Sequence, residues 1–476
     1  MSAEETEDMN YPPEPQENNN DLPNENSDNN RETTDSLPVQ GEAFLSRDSY
    51  LDDTFETPKS DKRCIERFCG PVKAGSLRGS VLSLASIVFG ICGFTFPIGL
   101  MNLGLIPSLI LLAILCSICY WSLSALLYAG RKKKILKYGP LIRECLGSKM
   151  ALISEINNII FCVGILMGYE FTISTFFMDV YSKFFTVNSD NQNLIKLIQM
   201  GTCMICFQLP LSLLKNISKL QYASMVGCAA LIYSTLVIVI ECPFYYQKST
   251  MKIPWFKPIS MKFFDSFSIF LYGFASHNGI FPIFDELNKP SKRRSYSVLN
   301  RGYLLEVIVF LFLGLGGFFS LLDPTPSIFI SRDDLEFSWM KMDYFILISK
   351  ILFVITLHCS TAINNNIIRN SFKSLLLKEG DNFSFKIDFI GVLVLLVITN
   401  TVTYFINDVL KIINIIGGIC AVIVSFLSPV LCWIKTNELP KNHIKNILAY
   451  ILLVVIIIIG CVSAGYSIYK DIKGED

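Results

Sequence analysis

The chain has 476 residues, of which 51% are hydrophobic, 12% aromatic and only 17% charged, and its 41 basic and 41 acidic residues cancel. This composition excludes a soluble globular protein, because apolar runs of about 20 residues recur, each long enough to cross about 30 Å of hydrocarbon. The zero net charge hides an asymmetry: residues 1–60 hold 16 acids and 3 bases, a net of −13, so the remainder is +13.

Residues 1–74 read as an acidic cytoplasmic tail. Rich in Asn, Glu, Asp, Pro and Ser, they bury too little apolar surface to offset the entropy of ordering, so disorder is expected. The polar start lacks the hydrophobic core of a signal peptide. Thr33, Thr34, Ser36 and Thr57 are candidate phosphorylation positions, and Cys64 and Cys69 border the first span.

A transmembrane domain is expected over 75–470, with eleven apolar spans at 78–103, 106–129, 151–182, 194–214, 221–242, 263–283, 302–322, 343–366, 387–405, 409–432 and 445–469. The fold class is all-α and polytopic. Span one carries Gly90-Ile-Cys-Gly93 at its middle. The glycines let the helix open, and the half-helix beyond the break then presents unpaired N–H groups and a positive dipole end that attracts a carboxylate. Helix packing also selects such glycines. The segment 135–147 has the pattern of an amphipathic surface helix.

Glu170 lies well inside span three. An acid there is expensive and therefore a candidate for proton coupling. In span four, Cys203 and Cys206 read as buried apolar thiols rather than a redox pair.

Span six is interrupted near its middle at Gly273-Phe-Ala-Ser276-His277-Asn-Gly279. Paired interruptions in corresponding halves of a multi-span chain point to a binding site. Gly273, Phe274, Ala275 and Ser276 supply the second wall of that site. His277 either carries a proton or bonds a backbone carbonyl. Together the breaks fit the two charged ends of a small zwitterion.

Glu306 is placed near the end of span seven, within reach of the interface. Lys350 in span eight is read as snorkelling outward. His358, Ser360 and Thr361 face a possible cavity, where hydroxyls suit a small cation.

The loops after spans two, four, six, eight and ten hold about 21 Lys/Arg, against about 10 on the other side. The positive-inside rule puts the N-terminus in the cytoplasm and the C-terminus outside or in a lumen. The sequons at Asn216 and Asn382 then fall in cytoplasmic loops, where no glycan is expected. No phosphate-cradling Gly-x-x-x-x-Gly-Lys-Ser/Thr stretch occurs, which disfavours ATP-driven transport. No residue set calls for catalysis, a metal, a cofactor or nucleic acid; the expected partners are a solute and the lipid bilayer.

Five stretches together resemble the amino acid/auxin permease family: Gly79 to Gly90 with Pro97; Tyr138-Gly-Pro-Leu-Ile-Arg-Glu-Cys-Leu-Gly147; Leu209-Pro-Leu-Ser-Leu-Leu-Lys-Asn-Ile-Ser-Lys-Leu-Gln-Tyr-Ala-Ser224; Phe274-Ala-Ser-His277 to Leu287; and Asn407-Asp408-Val409 with Ile416-Gly417-Gly418 and Pro429. The resemblance covers roughly residues 75 to 465. It implies a leucine-transporter-like fold, with inverted repeats over 78–242 and 263–432 and a peripheral helix at 445–469. It also implies amino acid transport coupled to H⁺ or Na⁺, in the plasma membrane or a vacuolar/lysosomal membrane. The substrate site then falls on Gly90, Ile91, Cys92, Gly93 and Phe94 with Gly273 to Ser276. Sodium-coupled members similar to this chain carry Asn where Ser86 stands, and their span-eight hydroxyl maps near Ser360 without the usual Pro. Proton coupling or uniport gains weight from that departure. Two rival readings differ in class: a transporter-like amino acid sensor signalling through the tail, and a membrane enzyme using His277 or His358.

Overall fold

Lipid offers no hydrogen-bond partner, so a chain of this composition satisfies its backbone within helices and gathers its polar side chains inward. The computed structural model describes residues 75–473, apart from 89, 187–188, 215–216, 289–290, 336–341, 378–382 and 441, and it leaves out the side chains of 88, 189–190, 217–224 and 285–286. The acidic tail with its phosphorylation positions, Cys64, Cys69 and both sequons lie outside the described residues.

Span one consists of two half-helices, α1 (Leu77–Val88) and α2 (Cys92–Leu103), which meet at a 53° bend. Span two is α3 (Leu105–Lys133), and the surface helix α4 (Tyr138–Leu146) follows. Span three is α5 (Ser148–Phe184). Span four joins α6 (Ser189–Cys203), a π-helical turn (Met204–Gln208) and α7 (Leu209–Ser212); span five is α8 (Ile217–Lys248). Span six is again divided, into α9 (Lys262–Gly273) and α10 (Ile280–Glu286). Spans seven to nine are α11 (Lys292–Phe319), α12 (Tyr344–Leu376) and α13 (Phe385–Tyr404). Span ten runs through α14 (Val409–Ile415), two π-helical turns and α15 (Ser428–Thr436), and span eleven is α16 (Ile444–Lys473). Among the described residues nine helices are long and apolar enough to cross a membrane unbroken, and span one crosses as a bent pair.

Each span shows an apolar stripe outward and polar groups inward. Leu152, Ile156 and Ile160 line one outer face of α5, and Leu304, Ile308 and Phe312 one of α11, at the i, i+4 spacing of a single helix face. The inner face of α5 joins span ten: the Ser154 and Ser428 hydroxyls lie 3.1 Å apart, and Asn157 Nδ2 donates to the Cys420 carbonyl at 3.1 Å. Span eleven docks through backbone: a Cβ built on Gly418 would lie 2.7 Å from the Gly460 carbonyl oxygen. Beside that contact the Ser268 and Ser463 hydroxyls meet at 2.6 Å.

Three expectations need correction. Span seven begins at Lys292, ten residues before the apolar run, because Ser291 caps it by accepting from the Arg294 N–H at 3.3 Å. Lys350 is buried rather than snorkelling, with Nζ 2.8 Å from Asp179 Oδ2 of α5. Cys206 is exposed on the outer surface and Cys203 half-buried, so the two are not buried thiols.

Candidate functional site at the broken spans

The two breaks lie against each other. A Cβ on Gly279, at the end of the span-six break, would meet Ile87 Cδ1 of α1 at 2.4 Å, and one on Gly273 would meet the Phe96 ring of α2 at 2.6 Å. Glycine is what allows both close approaches. In span one, Ile91 supplies no side-chain cap to α2; its carbonyl accepts from the Phe94 N–H at 3.1 Å, which leaves the N–H groups before Phe94 without a capping side chain. In span six the helical ladder gives way to tighter bonds, from Phe274 N–H to Leu271 O at 3.2 Å and from Ala275 N–H to Tyr272 O at 3.3 Å.

The buried polar groups at the breaks are under-satisfied. Ser276 and His277 are fully buried, and neither the Ser276 hydroxyl nor either ring nitrogen of His277 has a partner among the described residues. Asn278 Nδ2 reaches only Cys162 Sγ, at 3.4 Å. Unpaired polar groups in a dry interior cost about 1–3 kcal/mol each, so they mark a place where a ligand or water belongs. The histidine makes no bond to a backbone carbonyl among the described residues.

Aromatic rings enclose the rest. Phe94 packs edge-on against Phe353 of α12 at 4.7 Å and Phe176 of α5 at 6.5 Å, covering the break from the end where α2 and α5 finish. Phe96 contacts Phe270, Phe274 and Phe310 at 5.1, 6.0 and 4.8 Å. A Cβ on Gly93 would lie 3.1 Å from the Phe310 ring, and one on Gly90 would lie 2.9 Å from the Tyr169 ring.

The structure therefore brings Gly90 to Phe94 and Gly273 to His277 into one region. Of the other candidates, Glu170 is turned away from it. Glu170 follows Tyr169 on α5, but successive helical residues point about 100° apart. Tyr169 faces the break, whereas Glu170 faces Gln208 in the π-helical turn of span four, with one carboxyl oxygen unpartnered. Ser86 turns its hydroxyl back to the Ser83 carbonyl at 2.9 Å. Ser360 stands on α12, where its carbonyl accepts from Asn364 Nδ2 at 3.1 Å. His358 stacks on Phe207 at 5.4 Å.

The sequence profile of the family described as "Transmembrane amino acid transporter protein" matches residues 73–473. The chain belongs to that family. The resemblance to the amino acid/auxin permeases is thereby borne out, and the chain is a multi-pass transporter rather than an enzyme. It is similar to sodium-coupled neutral amino acid transporter 7 of Danio rerio, at 22% identity over 84% of this chain and 90% of the relative. It is also similar to vacuolar amino acid transporter 6 of Saccharomyces cerevisiae, at 23% identity over 52% of this chain and 56% of the relative. Its backbone is similar to that of the manganese transporter of Eremococcus coleocola, with a TM-score of 0.51 at 9% identity over 89% of this chain and 92% of the other. That likeness concerns the fold alone, which is the leucine-transporter-like one expected from the sequence.

Several residues at the candidate site and at the span ends escaped the sequence reading. Tyr169 covers Gly90 and its hydroxyl meets the Asn364 side chain. Nothing in the sequence marks it, since a tyrosine in a span is unremarkable until the facing glycine is known. Arg369 and Asp388 pair at 2.8 Å, both buried, and Arg369 also donates to the Ser212 carbonyl at 2.8 Å. That arginine ties α12 and α13 to the end of α7, inside the Leu209 to Ser224 stretch that carried the most specific part of the resemblance. Arg369 fell in the loop after span eight and Asp388 inside span nine, and nothing in the sequence joins the two.

Proposed function

We propose that this chain is a secondary active amino acid carrier that works by alternating access and is driven by protons. The observation that carries the reading is the meeting of two broken spans around buried polar groups that lack partners. The substrate carboxylate binds the N–H groups at the start of α2, at Ile91 to Gly93, and the ammonium binds carbonyls of Gly273 to Ser276. The Phe94, Phe176 and Phe353 rings close over it. Spans one to five and six to ten act as inverted repeats, and the N-terminus is cytoplasmic. A plasma-membrane or vacuolar/lysosomal location suits the basic side of the loops.

Proton coupling is supported by Ser86, whose hydroxyl is engaged within its own helix and stands where sodium-coupled relatives of this kind carry an amide. It is also supported by carboxyls held inside the spans without a basic partner, Glu170 and Glu306. Binding favours transport only if the amino acid prefers one access state over the other. Replacement of Gly93 by Leu tests the site: uptake of labelled amino acids is lost while folded protein reaches the membrane. Normal uptake by G93L contradicts the site.

A further inference from the structure

Glu306 was expected near the end of span seven, within reach of the interface, yet it is fully buried in the middle of α11. Both carboxyl oxygens lack a hydrogen-bond partner among the described residues. Its surroundings are drawn from four helices. Tyr303, on α11 itself, donates its hydroxyl to the Cys116 carbonyl of α3 at 2.7 Å. Cys228 of α8 lies with its thiol 3.2 Å from the Leu82 carbonyl of α1. One turn before Glu306 on the same face, a Cβ on Gly302 would lie 2.8 Å from Leu84 Cδ2, so α1 and α11 are in close contact there. The titratable groups facing the carboxyl are Tyr303, Cys116 and Cys119 of α3 and Cys228 of α8. α1 carries only Arg78, in its first turn, and α2 only Cys92.

We propose that Glu306 is a proton-binding site whose occupancy is linked to the position of α1. The inference rests on the carrier reading above and deepens it. An ionised carboxylate without a partner in a dry interior is too costly to persist, so in this packing Glu306 holds its proton. Release requires water, and α1 is the wall whose departure admits it. α1 is also the half-helix that ends at the Gly90 break. A solute that changes how α1 sits therefore changes the affinity of Glu306 for a proton, and the linkage is reciprocal. No covalent step is involved: one proton passes from the carboxyl to water on one side and returns from water on the other. Glu170 is the weaker candidate because it faces the Gln208 amide and lies on the face of α5 turned from the break.

The test uses the full chain in proteoliposomes, with labelled amino acids and an imposed pH gradient without sodium. Two readouts are followed: exchange of label at equal pH, and accumulation under the gradient. E306Q, which fixes the neutral form, is expected to exchange in a manner independent of pH and to accumulate nothing above equilibrium. E306Q that accumulates like the wild type overturns the proposal, as does an E170Q variant that alone loses gradient-driven accumulation. If wild-type protein exchanges no amino acid, the carrier reading fails, and the proton site is judged separately. That judgement, which also serves if E306Q does not fold, is labelling of the wild-type protein by a hydrophobic carbodiimide, which reacts with protonated buried carboxyls. Labelling of Glu306 that falls as pH rises supports a titrating site. Labelling unchanged by pH shows a permanently neutral structural carboxyl and overturns it.

Discussion

Gly90 and Tyr169 meet closely at the site, because the ring occupies the space a side chain at residue 90 would need. G90A is expected to push Tyr169 from its place and away from Asn364. If that costs the bound state about 1.4 kcal/mol, apparent affinity falls about tenfold. Y169L alone loses the hydroxyl and weakens uptake too. The double variant G90A/Y169L is expected to transport better than the product of the two single effects predicts, since the smaller side chain makes room; residues in contact show such non-additivity. Strictly additive losses in uptake measurements would show that the ring and the glycine act independently. The sequence marked Gly90 by its place in a hydrophobic span. It gave no sign of Tyr169, because its identity as a site residue depends on which face of α5 turns to span one.

Helices in this protein are tied at defined points, and the ties divide between backbone contact and buried charge. Arg369 holds α12, α13 and α7 together through Asp388 and the Ser212 carbonyl. Removing one member of a buried pair strands the other at a cost of about 3–5 kcal/mol, whereas replacing both with apolar groups is often neutral. D388A is therefore expected to lower the thermal unfolding temperature in detergent markedly, and R369L/D388L to recover much of it. A double variant less stable than D388A would show that the charges themselves hold the elements in place. Span eleven is tied differently. Gly460 and Gly418 bring backbones together, so G460L forces α16 from span ten. Loss of folded protein with unchanged amino acid affinity in the fraction that folds is the expected outcome. The positions of the spans were legible because hydropathy reports depth. Which way a polar residue turns around the helix axis was not. Lys350 and Glu306 were both assigned outward from their position in sequence, and both turn inward, one to Asp179 and one to a site without a partner.

Seen whole, the chain places its substrate candidates where two divided spans meet and the carboxyls of Glu170 and Glu306 elsewhere, in α5 and α11. A coupled carrier needs this separation: the driving ion and the solute occupy different groups and communicate through an element that touches both. α1 meets that description, since it ends at the break and packs against α11. The glycine breaks, the family stretches and the bilayer-length runs made the architecture readable, for each is a local pattern. The proposed coupling arrangement was not readable, because it depends on contacts between residues about 200 positions apart, such as Leu84 and Gly302. The most direct test of the account is uptake of a labelled amino acid mixture into proteoliposomes with an imposed pH gradient and no sodium. Accumulation above equilibrium that a protonophore collapses is the predicted result. Folded protein that neither accumulates nor exchanges any amino acid, with or without the gradient, would contradict it.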